Sequence, residues 1–125
     1  LYPRAVGSEC PGNNSMTVYR LSENCAVSSQ IQPADVAAIK AEGFTTIICN
    51  RPDGEDFGQP TADDVATECE AHSVTFKMIP IDRNGLTMTM VEEFQSAVAA
   101  SEGPVLAYCR SGQRSSVLWQ ASGSP

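Results

Sequence analysis

The chain has 125 residues, 42% of them hydrophobic and 18% charged, which is enough for one domain with a real core and too few for two. Its net charge of −7 lacks the basic excess that drives binding to a nucleic-acid backbone, and no apolar stretch approaches the roughly 20 residues of a bilayer span. The expectation is a soluble, single-domain protein that engages neither nucleic acid nor membrane.

Residues 1–15 are rich in Gly, Pro, Asn and Ser. They read as a non-native or disordered leader, with Met16 as a plausible native start and the domain over 16–125. Met16 to Leu21 and Ala26 to Ser28 then predict short strands at a sheet edge. Pro33 suits the first turn of a helix whose apolar stripe is Val36, Ala37 and Ile39, and Gly43 supplies its C-terminal cap. Phe44 to Cys49 is a continuous β-branched run, as expected of a strand buried on both faces. It ends in the loop Asn50-Arg51-Pro52-Asp53-Gly54-Glu55.

Thr61, with Asp64 three residues on, opens the next helix, whose apolar face holds Val65 and Cys69. Val74 to Ile81 predicts a strand running into Asp82-Arg83-Asn84-Gly85. Thr89 and Glu92 form a capping box for a helix with Val91, Phe94, Ala97 and Val98 on its core stripe, and Gly103-Pro104 stops it. The strand Val105 to Tyr108 follows. Successive βα units imply a three-layer α/β fold with a central, mainly parallel sheet flanked by helices. Such sheets gather ligands at the carboxyl ends of their strands, so Asn50-Arg51, Asp82 and Cys109 are expected on one rim.

The chemistry concentrates in Cys109-Arg110-Ser111-Gly112-Gln113-Arg114-Ser115. A strand that delivers a cysteine into a short loop of small and basic residues, with a helix start behind it, aims backbone N–H groups at the sulfur. Arg110, Arg114 and the helix terminus favour the thiolate, which is the reactive form. A buried inert cysteine is the ordinary fate of the residue, but it does not require a glycine and two arginines within five positions. Cys109 is therefore the candidate nucleophile. Arg110, Ser111, Gly112 and Gln113 form the anion cradle, and Arg51 is a further anion ligand or a partner of Asp53 or Glu55. Cys49 and Cys69 read as core residues. Five scattered cysteines without a Cys-x-x-Cys pair, and a single histidine, His72, point to a reducing, cytoplasmic setting with no disulfide framework, metal or cofactor.

The Cys109 loop is similar to two families at once. Its four residues between Cys109 and Arg114 match the count of the rhodanese sulfurtransferases, whereas dual-specificity and tyrosine phosphatases carry five. Phe76-Lys77-Met78-Ile79-Pro80-Ile81-Asp82 resembles the phosphatase scaffold with its general-acid aspartate. Together with Ser29-Gln30-Ile31, Cys49-Asn50-Arg51-Pro52-Asp53-Gly54-Glu55 and Gln59-Pro60, the chain from Met16 to Gln120 is identified as a member of the phosphatase-like domain family of β-lactamase hydrolase-like proteins, a family also assigned to sulfur transfer. The resemblance implies a dual-specificity-phosphatase-like fold. It further implies Cys109 as nucleophile, Arg114 as the arginine that binds the transferred group, Ser115 as the hydroxyl that steadies the leaving thiolate and Asp82 as general acid. Asp82 stands one residue earlier than the usual phosphatase acid, and Tyr108 replaces a histidine.

A loop shortened by one residue suits a single sulfur better than the three oxygens of a phosphoryl group. The favoured expectation is accordingly a rhodanese-type sulfurtransferase that carries sulfane sulfur as a Cys109 persulfide, from a small-molecule donor to a thiol acceptor. The alternative is a phosphatase acting on a phosphate ester through a cysteinyl-phosphate. A third reading is an anion-binding module without turnover. Only ten residues follow Ser115, so an under-covered sheet face and a homo-oligomer are also expected.

Overall fold

The computed structural model describes residues 18–82 and 84–123. The expected leader over residues 1–15 lies outside the described residues. Five strands form one sheet: β1 (Val18–Arg20), β2 (Cys25–Ser28), β3 (Thr46–Cys49), β4 (Thr75–Met78) and β5 (Val105–Tyr108). Their order is β1-β2-β5-β3-β4. β1 runs antiparallel to β2, and every other pairing is parallel. Four helices accompany the sheet: α1 (Val36–Ala41), α2 (Ala62–Ala71), α3 (Met88–Ala100) and α4 (Gln113–Ala121). The predicted mixed, mainly parallel α/β architecture is the one observed.

The three central strands are buried at every position, because helices cover both faces and side chains alternate between them. Ala26, Ile47, Leu106 and Tyr108 pack with Val36 and Ile39 of α1 and Val65 and Cys69 of α2. Val27, Ile48, Val105 and Ala107 pack on the other side with Phe94 and Ala97 of α3 and Leu118 of α4. The predicted stripes of α1, α2 and α3 thus meet the sheet, except that Ala37 of α1 is exposed. Among the described residues no helix is long and apolar enough to cross a membrane.

Three expectations are corrected. β2 is an interior strand, hydrogen-bonded to β1 on one side and β5 on the other, because β5 inserts between β2 and β3. α3 is capped by Thr87, whose extended backbone lets its hydroxyl accept from the Met90 N–H at 3.2 Å, so Thr89 and Glu92 fall inside the helix. The strand expected from Val74 to Ile81 ends at Met78, where Pro80 has no N–H to offer the ladder. Its last residues nevertheless stay on β3's extension through Ile79 N–H to Cys49 O, 2.9 Å, and Ile81 N–H to Asn50 O, 3.0 Å. That continuation carries Ile81 and Asp82 to the rim.

Candidate active site

The cysteine loop is built by β5 and the first turn of α4. The Cys109 N–H donates to Ser28 O at 3.2 Å, tying the loop to β2 as the strand ends. Three residues on, Gly112 takes φ +95° as the N-cap of α4, a conformation that L side chains rarely adopt. This turn brings the Gly112 N–H to 3.0 Å from Cys109 Sγ. The first N–H groups of a helix have no intrahelical acceptor, which leaves those of Arg114 and Ser115 outside the helix's own ladder. The Gln113 N–H is bound by Ser111 Oγ at 3.3 Å. Cys109 itself has no exposed surface.

Arg114 is held from three directions. Its Nη1 donates to Glu55 Oε2 and to Ile81 O, both at 2.8 Å, and its Nη2 donates to Glu55 Oε1 at 2.8 Å. Three of the five guanidinium N–H groups are thereby used. The Cys109 sulfur nearby joins the Glu55 carboxylate in raising the arginine's pKa, with the Glu55 hydrogen bond the largest cause. Reciprocally, Arg114 and Arg51 lower the Glu55 carboxyl to about 2.

Arg51 is almost completely buried at the end of β3. Its Nε donates to Glu55 Oε1 at 3.0 Å, its Nη1 to Gln30 Oε1 at 2.9 Å and its Nη2 to Asp56 Oδ2 at 2.6 Å. Of the two partners considered from sequence, Glu55 is engaged and Asp53 is not; Asp53 Oδ1 accepts from the Ala62 N–H and anchors the loop to α2. The loop is closed by Gln59, whose Oε1 accepts from the N–H groups of Glu55 and Asp56 and whose Nε2 donates to Pro52 O. Arg110 lies on the rim with its Nε 3.4 Å from Asp56 Oδ2.

Ser115 departs from its expected role. Its buried hydroxyl donates to Asn50 Oδ1 at 2.8 Å, and Asn50 Nδ2 donates to Ile79 O at 2.9 Å. The hydroxyl therefore links α4 to β3 and β4 rather than serving the sulfur. Asp82 is exposed beside Ile81, with Oδ1 accepting from the Asn84 N–H at 2.8 Å. The other described cysteines are core residues. Burial pushes the Cys25 thiol up to about 12 and that of Cys69 to about 11, and it also raises Cys49, whose Sγ–H donates to Arg51 O at 3.2 Å.

All three predicted loops meet: the β3 end through Arg51 and Glu55, the β4 end through Ile81 and the β5 end through Cys109 and Arg114. The sequence placed Asn50 on the rim and offered Glu55 as a partner of Arg51, but it did not foresee Glu55 as the clamp on Arg114, Asn50 as the partner of Ser115, or any role for Asp56.

A mainly parallel five-stranded sheet that delivers a cysteine into a short loop, closed by an arginine on the following helix, defines a phosphatase-like cysteine domain. Residues 18–124 match the family model described as the β-lactamase hydrolase-like protein, phosphatase-like domain, and the chain belongs to that family. A curated β-lactamase hydrolase-like protein from Agrobacterium fabrum is 34% identical over 83% of this chain, which spans 24% of that relative's length. A crystal structure of a phosphatase candidate from Neisseria meningitidis Z2491 superposes with a TM-score of 0.72 at 40% identity, covering 80% of this chain and 71% of that one. TpbA from P. aeruginosa, solved in complex with phosphotyrosine, shares the fold at a TM-score of 0.62 and 19% identity, over 91% of this chain and 64% of that one.

Proposed function

We propose that the domain is a cysteine-dependent phosphatase. The Cys109 thiolate attacks the phosphorus of a phosphate monoester, the S–P bond forms as the P–O ester bond breaks, and the leaving oxygen takes a proton from Asp82. Water then attacks the cysteinyl-phosphate and gives a proton back to the Asp82 carboxylate, and as the S–P bond breaks inorganic phosphate leaves and the thiolate returns. The observation that carries this reading is the placement on one rim of the Cys109 sulfur, which accepts the Gly112 N–H, beside an Arg114 guanidinium clamped by Glu55 and the Ile81 carbonyl. A preoriented guanidinium and the Gly112 N–H turned onto the sulfur suit charge that builds on phosphoryl oxygens. The likeness to phosphatase-like relatives supports the same reading. For Asp82, support comes from its place one residue beyond Ile81, whose carbonyl binds Arg114.

Sulfane-sulfur transfer is the second reading, favoured by the four-residue spacing of Cys109 and Arg114 and by the full burial of the sulfur in a narrow loop. One experiment separates the two. The protein is incubated with an aryl phosphate, and separately with thiosulfate and cyanide, and the species on Cys109 is read by intact mass. Phosphate release that disappears in Cys109→Ser, with a trapped phosphoryl adduct, supports the phosphatase. Thiocyanate formation with a gain of one sulfur and no phosphate release overturns it.

A further inference from the structure

We infer that Arg51 and Arg110, which share the Asp56 carboxylate, form a subsite for a second anionic group of the substrate. The inference rests on the phosphatase reading and narrows its substrate class to phosphate monoesters that carry another negative charge close by. Two adjacent carboxylates neutralise three guanidiniums on this rim, and they do so differently. Glu55 meets Arg114 with both oxygens and Arg51 with one of them. Asp56 uses a single oxygen, 2.6 Å from Arg51 Nη2 and 3.4 Å from Arg110 Nε.

Exposure separates the two carboxylates further. The Asp56 side chain is 47% exposed and that of Arg110 68%, against 4% for Arg51. Exposed pairs of this kind contribute little free energy, so an incoming anion displaces Asp56 from Arg110 at small cost. Arg51 cannot be left bare, because a buried cation requires a partner, and it supplies the fixed half of the subsite. Local backbone permits the exchange. Asp56 O accepts from the Gln59 N–H in a turn with Gly58 at φ +82°, and Phe57 between them is fully exposed. Gln59 Oε1 holds the Asp56 N–H, but the exposed Asp56 carboxylate is left free to swing, whereas Glu55 stays clamped.

The charge count supports a one-for-one exchange. On this rim each of the three guanidiniums already faces Glu55 or Asp56. A second anion therefore gains a cation only as Asp56 leaves. An acidic residue beside a phosphorylated one, or a second phosphate on a small molecule, supplies the same chemistry.

The test is a ratio of kcat/KM within matched pairs at low ionic strength: a phosphotyrosine peptide flanked by Glu against the same peptide flanked by Gln, and a hexose 1,6-bisphosphate against the 6-phosphate. The expected preference for the doubly charged member is about fivefold, the scale of one exposed ion pair, and it shrinks as salt is added. The pair that shows the preference identifies the source. Asp56→Asn raises the ratio, and Arg110→Ala returns it to one. A ratio of one in both pairs, or a preference that survives in Arg110→Ala, overturns the subsite. The same pairs titrated into Cys109→Ser give the ratio as Kd, so absent turnover counts against the phosphatase while the subsite is still decided.

Discussion

Both terminal nitrogens of Arg114 lie 2.8 Å from the oxygens of Glu55, a residue 59 positions earlier in the chain. This parallel pair sets the plane of the guanidinium at the mouth of the cysteine loop. Glu55 is thus a positioning residue. Replacing Glu55 by Gln keeps one acceptor and removes the charge, so Arg114 loses its fixed orientation. The expected outcome is a fall in kcat/KM of about 10²-fold, the scale at which small misplacement of a reacting group acts. The loss should fall on kcat as well as KM, and orthovanadate should bind more weakly, while the far-ultraviolet circular dichroism stays as in the parent. Unchanged kcat would sink the positioning role.

The same carboxyl carries an acid-stability signature. Its pKa is about 2 in the folded chain against an ordinary 4.5, held down first by the Arg114 hydrogen bond. A group whose folded pKa is depressed contributes stability that is complete above its unfolded value and is lost as the pH falls toward the folded value. The Tm difference between the parent and Glu55→Gln should therefore be constant above about pH 5, narrow from pH 4.5 downward and vanish near pH 2. A difference that stays constant across that window would show that the pair does not stabilise the fold.

Local pattern and topology predicted the fold and the meeting of three loops, but not the bonds between them. Thr46–Cys49 and Val105–Tyr108 were legible because helices on both faces demand unbroken apolar runs. Asn50, Asp82 and Cys109 could be placed on one rim because a parallel sheet puts its strand ends together. The interior position of β2 depends on β5 entering beside it about 80 residues later, and no neighbouring residue reports that. The pairing of Glu55 with Arg114 escaped for a similar reason: an acidic residue in a loop has no periodicity, and a partner 59 positions away is defined only by the fold. For α3, two threonines two positions apart offered two helix starts, and the capping-box glutamate pointed to the one not used.

The buried bond from Ser115 Oγ to Asn50 Oδ1 makes a prediction that differs from the role implied by family resemblance. Ser115→Ala removes the donor and leaves an amide oxygen buried without it, at a cost of about 1–3 kcal/mol. Urea unfolding should show a lower midpoint with an unchanged slope. Combined with Asn50→Ala the losses should be less than additive, since both variants break one bond. Full additivity in that cycle would remove the proposed link between α4 and β3.

Gly112 allows the fold and the site to be separated experimentally. At φ +95° it turns its N–H onto Cys109 Sγ, and an added Cβ would meet Ser28 O at 3.5 Å, ordinary contact. Alanine there is opposed by backbone strain rather than by crowding, at about 1–2 kcal/mol. Gly43 supplies the matching control, with φ +105° and nothing within 4 Å of an added Cβ, on the far side of α1 from the chemistry. Both alanine variants should lose similar stability in urea. Gly43→Ala should retain turnover per folded molecule, because no part of the cysteine loop depends on it. Gly112→Ala should lose at least tenfold in kcat/KM, since relief of the strain swings the N–H off the sulfur and opens the cradle. Equal retention of activity in the two variants would mean that this N–H does not contribute to the chemistry of Cys109.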